Sequence, residues 1–94
     1  MKCVMFYGPA DDMARAMEVF PDHRAWYQKF HERGLLVMIG AFADAGTPAA
    51  MAVFTTRAAA EEFVSGDPFV RNGVVRDWTI REWNEVLVPD ADAT

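Results

Sequence analysis

Two uninterrupted apolar runs, LLVMIGAF at residues 35–42 and AAMAVF at 49–54, constrain this chain more than any other feature. A strand that buries one face and wets the other alternates apolar with polar residues. Neither run alternates, so both faces of each must be covered. Asp44-Ala-Gly46-Thr-Pro48 between them has the chemistry of a turn. The spacing therefore predicts a hairpin of two strands, Leu35 to Phe42 and Ala49 to Thr55, apolar on both sides.

The flanks give the partners of this hairpin. Lys2 to Tyr7 is a short run of strand formers stopped by Gly8-Pro9. Asp11-Asp12 can cap a short helical stretch, Met13 to Phe20, ahead of Pro21. A full helix is expected from Asp22 to Arg33, with Asp22 as N-cap and Gly34 just past its end. A second helix is expected from Arg57 to Ser65, capped by Thr56, striped by Ala59/Phe63 and Ala60/Val64 and ended by Gly66. Val74 to Trp83 reads as the last strand, and residues 89–94 as an acidic tail on a single domain of residues 1–88.

The order β-α-β-β-α-β predicts an α+β fold of the ferredoxin-like, split βαβ kind, four antiparallel strands with both helices on one face. Helices on one face leave the other face of the apolar hairpin bare. Hydrophobic residues make up 52% of the 94, among them 7 Phe, 3 Trp and 6 Met, more than a lone domain of this size easily hides. The simplest cover is a second copy, sheet against sheet: a homodimeric α+β barrel.

Charge and cysteine content exclude several classes. A net charge of −5 is the wrong sign for nucleic acid or for an anionic membrane surface. No run approaches the roughly 18 apolar residues of a membrane span, and MKCVMFYG is too short an apolar stretch for a signal peptide. Cys3 is the only cysteine, so no internal disulfide can form. A cytoplasmic protein is expected.

Nucleotide loops and zinc motifs are absent, and no metal site is expected. His23 and His31 are eight residues apart, about 12 Å of helical rise and about 80° of rotation, too far to share a metal directly. His23 shares one helix face with Trp26, Tyr27 and Phe30, whereas His31 lies on the flank. Two readings of His23 stand together. It is a neutral core histidine bonded to a carbonyl, or it is a general base, imidazole being the side chain that titrates nearest neutrality. A base needs an orienting group, commonly a carboxylate. Asp67, in VSGDPFVRNG, is an acid set among apolar neighbours; it reads either as turn punctuation after the second helix or as that partner. Spacing alone does not bring the two together. Asp11, Asp12 and Asp22 read as caps, Asp44 as a turn residue, and Arg71, Arg76 and Arg81 as strand-face charges. Trp26, Tyr27, Trp78 and Trp83 suit a core or an interface, and equally a stacked aromatic ligand.

PDHRAWYQKF with His23, HERGLLVMIGAF, the hairpin into AAMAVFTT, the AAAEEF helix, and SGDPFVRNGVV followed by WTIREW together resemble the YCII (YciI-like) family over residues 1–84. The resemblance implies a dimeric ferredoxin-like barrel and a histidine–aspartate pair in a pocket, here His23 and Asp67. It further implies a small cofactor-independent enzyme, a lyase of dehydrochlorinase type or an isomerase, moving protons on a small phenol- or quinol-like molecule. Trp26, Tyr27, Phe69 and Trp78 are then the expected ligand contacts. Family members often carry Gly-Pro after the second strand, where this chain has Gly40-Ala41. The alternative is a small-ligand binding or regulatory domain that uses the same pocket without turnover. A third reading is structural, with His23 and Asp67 satisfying only each other.

Overall fold

The computed structural model describes residues 1–44 and 46–88. The expected acidic tail, residues 89–94, lies outside them. The chain forms strand β1 (Lys2–Tyr7), helix α1 (Met13–Glu32), strands β2 (Leu36–Ala41) and β3 (Ala50–Phe54), helices α2 (Arg57–Gly66) and α3 (Pro68–Arg71), and strand β4 (Trp78–Trp83). The four strands make one antiparallel sheet in the order β2-β3-β1-β4, the α+β arrangement expected from the order of elements.

Cross-strand pairing sorts the residues onto two faces. Cys3, Met5 and Tyr7 of β1 share a face with Ala52 and Phe54 of β3 and Ile80 of β4, and these pack in the core beneath the helices. α1 adds Ala16, Val19 and Phe30 to that core, and α2 adds Ala59, Ala60, Phe63 and Val64. Fully burying a side chain such as Phe54 or Phe63 contributes roughly 1.5–3 kcal/mol. Val4, Phe6, Met38, Met51, Val53 and Trp83 face the other way. Among the described residues, no helix covers that side.

Three expectations are corrected. Met13–Phe20 and Asp22–Arg33 are one helix of 20 residues, not two, and Pro21 lies inside it. Proline removes one helical hydrogen bond and crowds the preceding turn. Here Pro21 and Met17 are both on the solvent side, where water can satisfy the freed carbonyl, while Ala16, Val19, His23 and Phe30 keep one buried face along the whole length. Asp22 is therefore an exposed interior residue, and the N-cap is Asp12, whose carboxylate accepts from Arg15 N at 3.1 Å. The second correction is that Pro68–Arg71 forms a third short helix where only a corner was expected. The third is that β4 begins at Trp78: Val74 and Val75 are buried loop residues whose amides both donate to the Phe69 carbonyl. Arg71 consequently lies in α3 and Arg76 in the loop, leaving only Arg81 on a strand.

Gly34 ends α1 as expected. Its φ is +73°, the Gly34 amide donates to the His31 carbonyl and the Leu35 amide to the Phe30 carbonyl, so the last turn closes as a Schellman motif. Among the described residues, no helix is long and apolar enough to cross a membrane.

Candidate active site

Asp67 is the hinge between α2 and α3. Its amide donates to the Phe63 carbonyl at 2.9 Å and closes α2, while its own carbonyl accepts from Val70 N and Arg71 N, each at 2.9 Å, and opens α3. Pro68 follows at the first helical position, where its missing N–H costs nothing. The Asp67 side chain is 0% exposed. A buried carboxylate must be met by donors, and three elements supply them. Oδ1 takes the Phe69 amide at 3.1 Å and lies 2.7 Å from His23 Nδ1; Oδ2 accepts the Tyr7 hydroxyl at 2.6 Å.

His23 projects from the middle of α1 and is 7% exposed. Its ring stacks on Phe69 at 3.9 Å between centroids with 5° between planes, and meets Tyr27 edge-on at 5.3 Å. With an ionised Asp67 and a neutral ring, Nδ1 carries the hydrogen and donates it, which leaves Nε2 with a lone pair. Among the described residues Nε2 has no hydrogen-bond partner. His23, Tyr7, Tyr27 and Phe69 all line a cavity of about 430 Å³ between α1 and the sheet. The rest of its wall is apolar: Phe20, three methionines (Met5, Met13 and Met17), Val74 and Val75, with small residues such as Gly40 and Ala50 giving it depth. No Lys, Arg, Asp or Glu is among the residues lining it.

Tyr7 is the member of this unit that the sequence did not announce as a site residue. Its signal was present: it falls on the same face of β1 as Cys3 and Met5, which made it a buried tyrosine in need of an acceptor. Burial, then the negative charge of Asp67 and the hydrogen bond to it, push the Tyr7 hydroxyl far above the ordinary tyrosine range, so it is a neutral donor.

The remaining sequence candidates fall elsewhere. Trp26 is half-buried between the helices: its Nε1 donates to the Phe63 carbonyl at 3.0 Å and its ring lies against Gly66. A methyl group on Gly66 would overlap that ring, so the glycine next to Asp67 is what lets α1 and α2 close up. Trp26 thus locks the helix end that carries Asp67 and does not line the cavity. Trp78 pairs with Tyr7 across the sheet on the edge strand, exposed and outside the cavity wall. Trp83 lies on the uncovered sheet face. His31 is exposed, with Nδ1 placed 3.1 Å from the Leu36 carbonyl. Among the described residues, no group of three His, Cys, Asp or Glu side chains is placed to hold a metal ion.

The profile of the YCII-related domain matches residues 1–84. Two solved structures share the fold. The 5-chloro-2-hydroxyhydroquinone dehydrochlorinase of Burkholderia phenoliruptrix AC1100, in complex with 2,5-dihydroxybenzoquinone, superposes with a TM-score of 0.72 at 15% identity, over 89% of this chain and 94% of that one. An antibiotic biosynthesis monooxygenase superposes with a TM-score of 0.56 at 22% identity, over 93% of this chain and all of that one (100%). No curated protein matches by sequence.

Proposed function

The chain belongs to the YCII-related domain family, and from that premise we propose that it is a cofactor-independent enzyme in which His23, oriented by Asp67, moves a proton on a small phenol- or quinol-like molecule. The observation that carries this reading is the buried 2.7 Å contact of His23 Nδ1 with Asp67 Oδ1, with Nε2 unpartnered at an apolar cavity. A histidine satisfied purely as a core residue would have little use for a cavity of this size beside it.

In this reading Tyr27 and Phe69 contact the ligand ring, and Trp26 and Trp78 do not. His23 Nε2 takes the proton from a hydroxyl or ring position, and Asp67 stabilises the imidazolium that results. Such assistance supplies roughly 10²–10⁴-fold in rate. The fold neighbour named a dehydrochlorinase indicates one reaction of this type. Loss of H⁺ and Cl⁻ from a chlorinated hydroxyhydroquinone balances by itself. One hydroxyl proton moves to the ring carbon that bears chlorine as the ring tautomerises to a ketone; a second hydroxyl proton goes to His23, the chlorine leaves as chloride with its bonding pair, and the ring is left as a hydroxyquinone. An isomerase would use the same base to take a proton from one position and return it at another. The functional unit is a homodimer closed across the uncovered sheet face.

The test is a screen of phenols, chlorinated quinols and lactones by thermal shift, with product analysis for each binder. His23→Ala and Asp67→Asn are expected to reduce turnover by about 10²-fold or more, with cooperative unfolding retained. Full activity in both variants sinks the acid–base reading. Binding without any product would instead make the cavity that of a ligand-holding domain.

A further inference from the structure

The acid–base reading uses one oxygen of Asp67; the other belongs to Tyr7. The tyrosine sits at the end of β1, the strand flanked by β3 and β4, paired with Ala50 on one side and Trp78 on the other, with its carbonyl accepting from Ala49 N at 2.8 Å. Its hydroxyl is therefore placed by the sheet and not by the helices. The carboxylate is fixed from three elements at once: β1 through Tyr7, α1 through His23, and the start of α3 through the Phe69 amide.

We propose that Tyr7 is a positioning residue for the His23–Asp67 pair: its hydroxyl holds Oδ2, turns Oδ1 onto His23 Nδ1, and makes the pair take up its proton less readily than it would alone. The inference rests on the reading of His23 as a base. The physical ground is a charge count. The His23–Asp67 pair carries one net negative charge without the shared proton and none with it. A donor aimed at the carboxylate favours the charged form, so the phenol holds the pair open as an acceptor of a substrate proton. The pair titrates as one unit wherever its proton resides. The titratable groups facing it are Tyr7 from β1, Asp67 from the junction of α2 and α3, and Tyr27 one turn along α1. No cation lines the cavity among the described residues, so none there replaces the phenol in offsetting the charge.

The experiment follows the His23 ring resonances against pH by NMR in a His31→Gln background, where His23 is the only histidine, one of the 2 in the chain having been removed. Tyr7→Phe keeps the shape and deletes the donor. It is expected to move the pH profile upward by roughly half to one unit, whereas Asp67→Asn moves it downward. In a Tyr27→Phe background, 3-fluorotyrosine at position 7 is a stronger donor and moves the profile the opposite way from Tyr7→Phe; it decides the question alone if Tyr7→Phe does not fold. A tyrosine that served only to fill the core would alter the melting temperature and leave the profile in place. A profile that stays put or falls in folded Tyr7→Phe, or fails to fall with 3-fluorotyrosine, overturns the proposal. A moved profile together with no turnover in the substrate screen would keep the Tyr7 role and remove the enzymatic one. Turnover with an unmoved profile would do the reverse.

Discussion

At the scale of single residues, the site is a buried carboxyl group met by donors, and its oddest member is a phenol whose ionisation is pushed far above the ordinary tyrosine range. The consequence for stability has a definite sign. In the unfolded chain Tyr7 loses its proton near pH 10. In the folded chain it keeps it well beyond that, because burial and the Asp67 carboxylate disfavour the phenolate. The folded state therefore binds more protons above pH 10, and its stability is intact below that pH and declines as pH rises through it. The limiting slope is about 1.4 kcal/mol per pH unit. Urea unfolding of the parent and of Tyr7→Phe between pH 8 and 11 should show the parent losing its advantage as pH rises and the variant with a flatter profile. Equal slopes would mean that the Tyr7 hydroxyl is not held as described. The same residue marks the limit of what the letters could say. His23 was legible as polar in an apolar stripe, and Asp67 as an acid in a rigid apolar corner. Their contact spans 44 positions and arises only when α1 lies beside the end of α2, so spacing could not supply it. The resemblance supplied the pairing, and period-2 alternation alone could have supplied Tyr7.

At the scale of elements, glycine ends α1 and proline does not. Gly34 ends α1 because its positive φ closes the last turn. Pro21 does not end anything, because both halves of α1 bury the same stripe against the same core and the broken turn faces solvent. Tertiary packing outweighs a local penalty of about 3 kcal/mol. That penalty is still present in the folded state. Pro21→Ala is expected to stabilise the protein by about 1–3 kcal/mol, reduced from the full value by the extra freedom it gives the unfolded chain. Chemical denaturation measures this directly, and a loss of stability would show that the proline sets a bend the core requires. Pro68 acts in the opposite sense. It starts α3, and the Asp67 side chain that caps this short helix is the one that also meets His23. A cap and an orienting carboxylate are thus one residue. Pattern alone could not choose between turn punctuation and partner, because both descriptions hold.

At the scale of the whole molecule, the unalternating β2–β3 hairpin presents a face that no helix covers among the described residues. Val4 and Val53 are already hidden among their neighbours, but Met38 is 63% exposed and Trp83 50% exposed on the same side of the sheet. Phe6 and Met51 lie between them, with Lys2, Thr79 and Arg81 toward the β4 edge. A second copy related by a two-fold axis would place this surface on itself. Burial of about 800 Å² per partner is the usual requirement for a stable pair. Sedimentation velocity at micromolar concentration should therefore show a dimer, and a clean monomer there rejects the barrel. Met38→Lys is the sharper test. In a monomer the substituted side chain is mostly in water, so intrinsic stability should change by less than about 0.5 kcal/mol. In a dimer the same change sets two ammonium groups within one dry interface and should weaken association by roughly tenfold or more, about 1.4 kcal/mol. If dissociation is unaffected while a substitution on the helix side breaks the dimer, the copies meet elsewhere, and the apolar faces of β2 and β3 need a different cover.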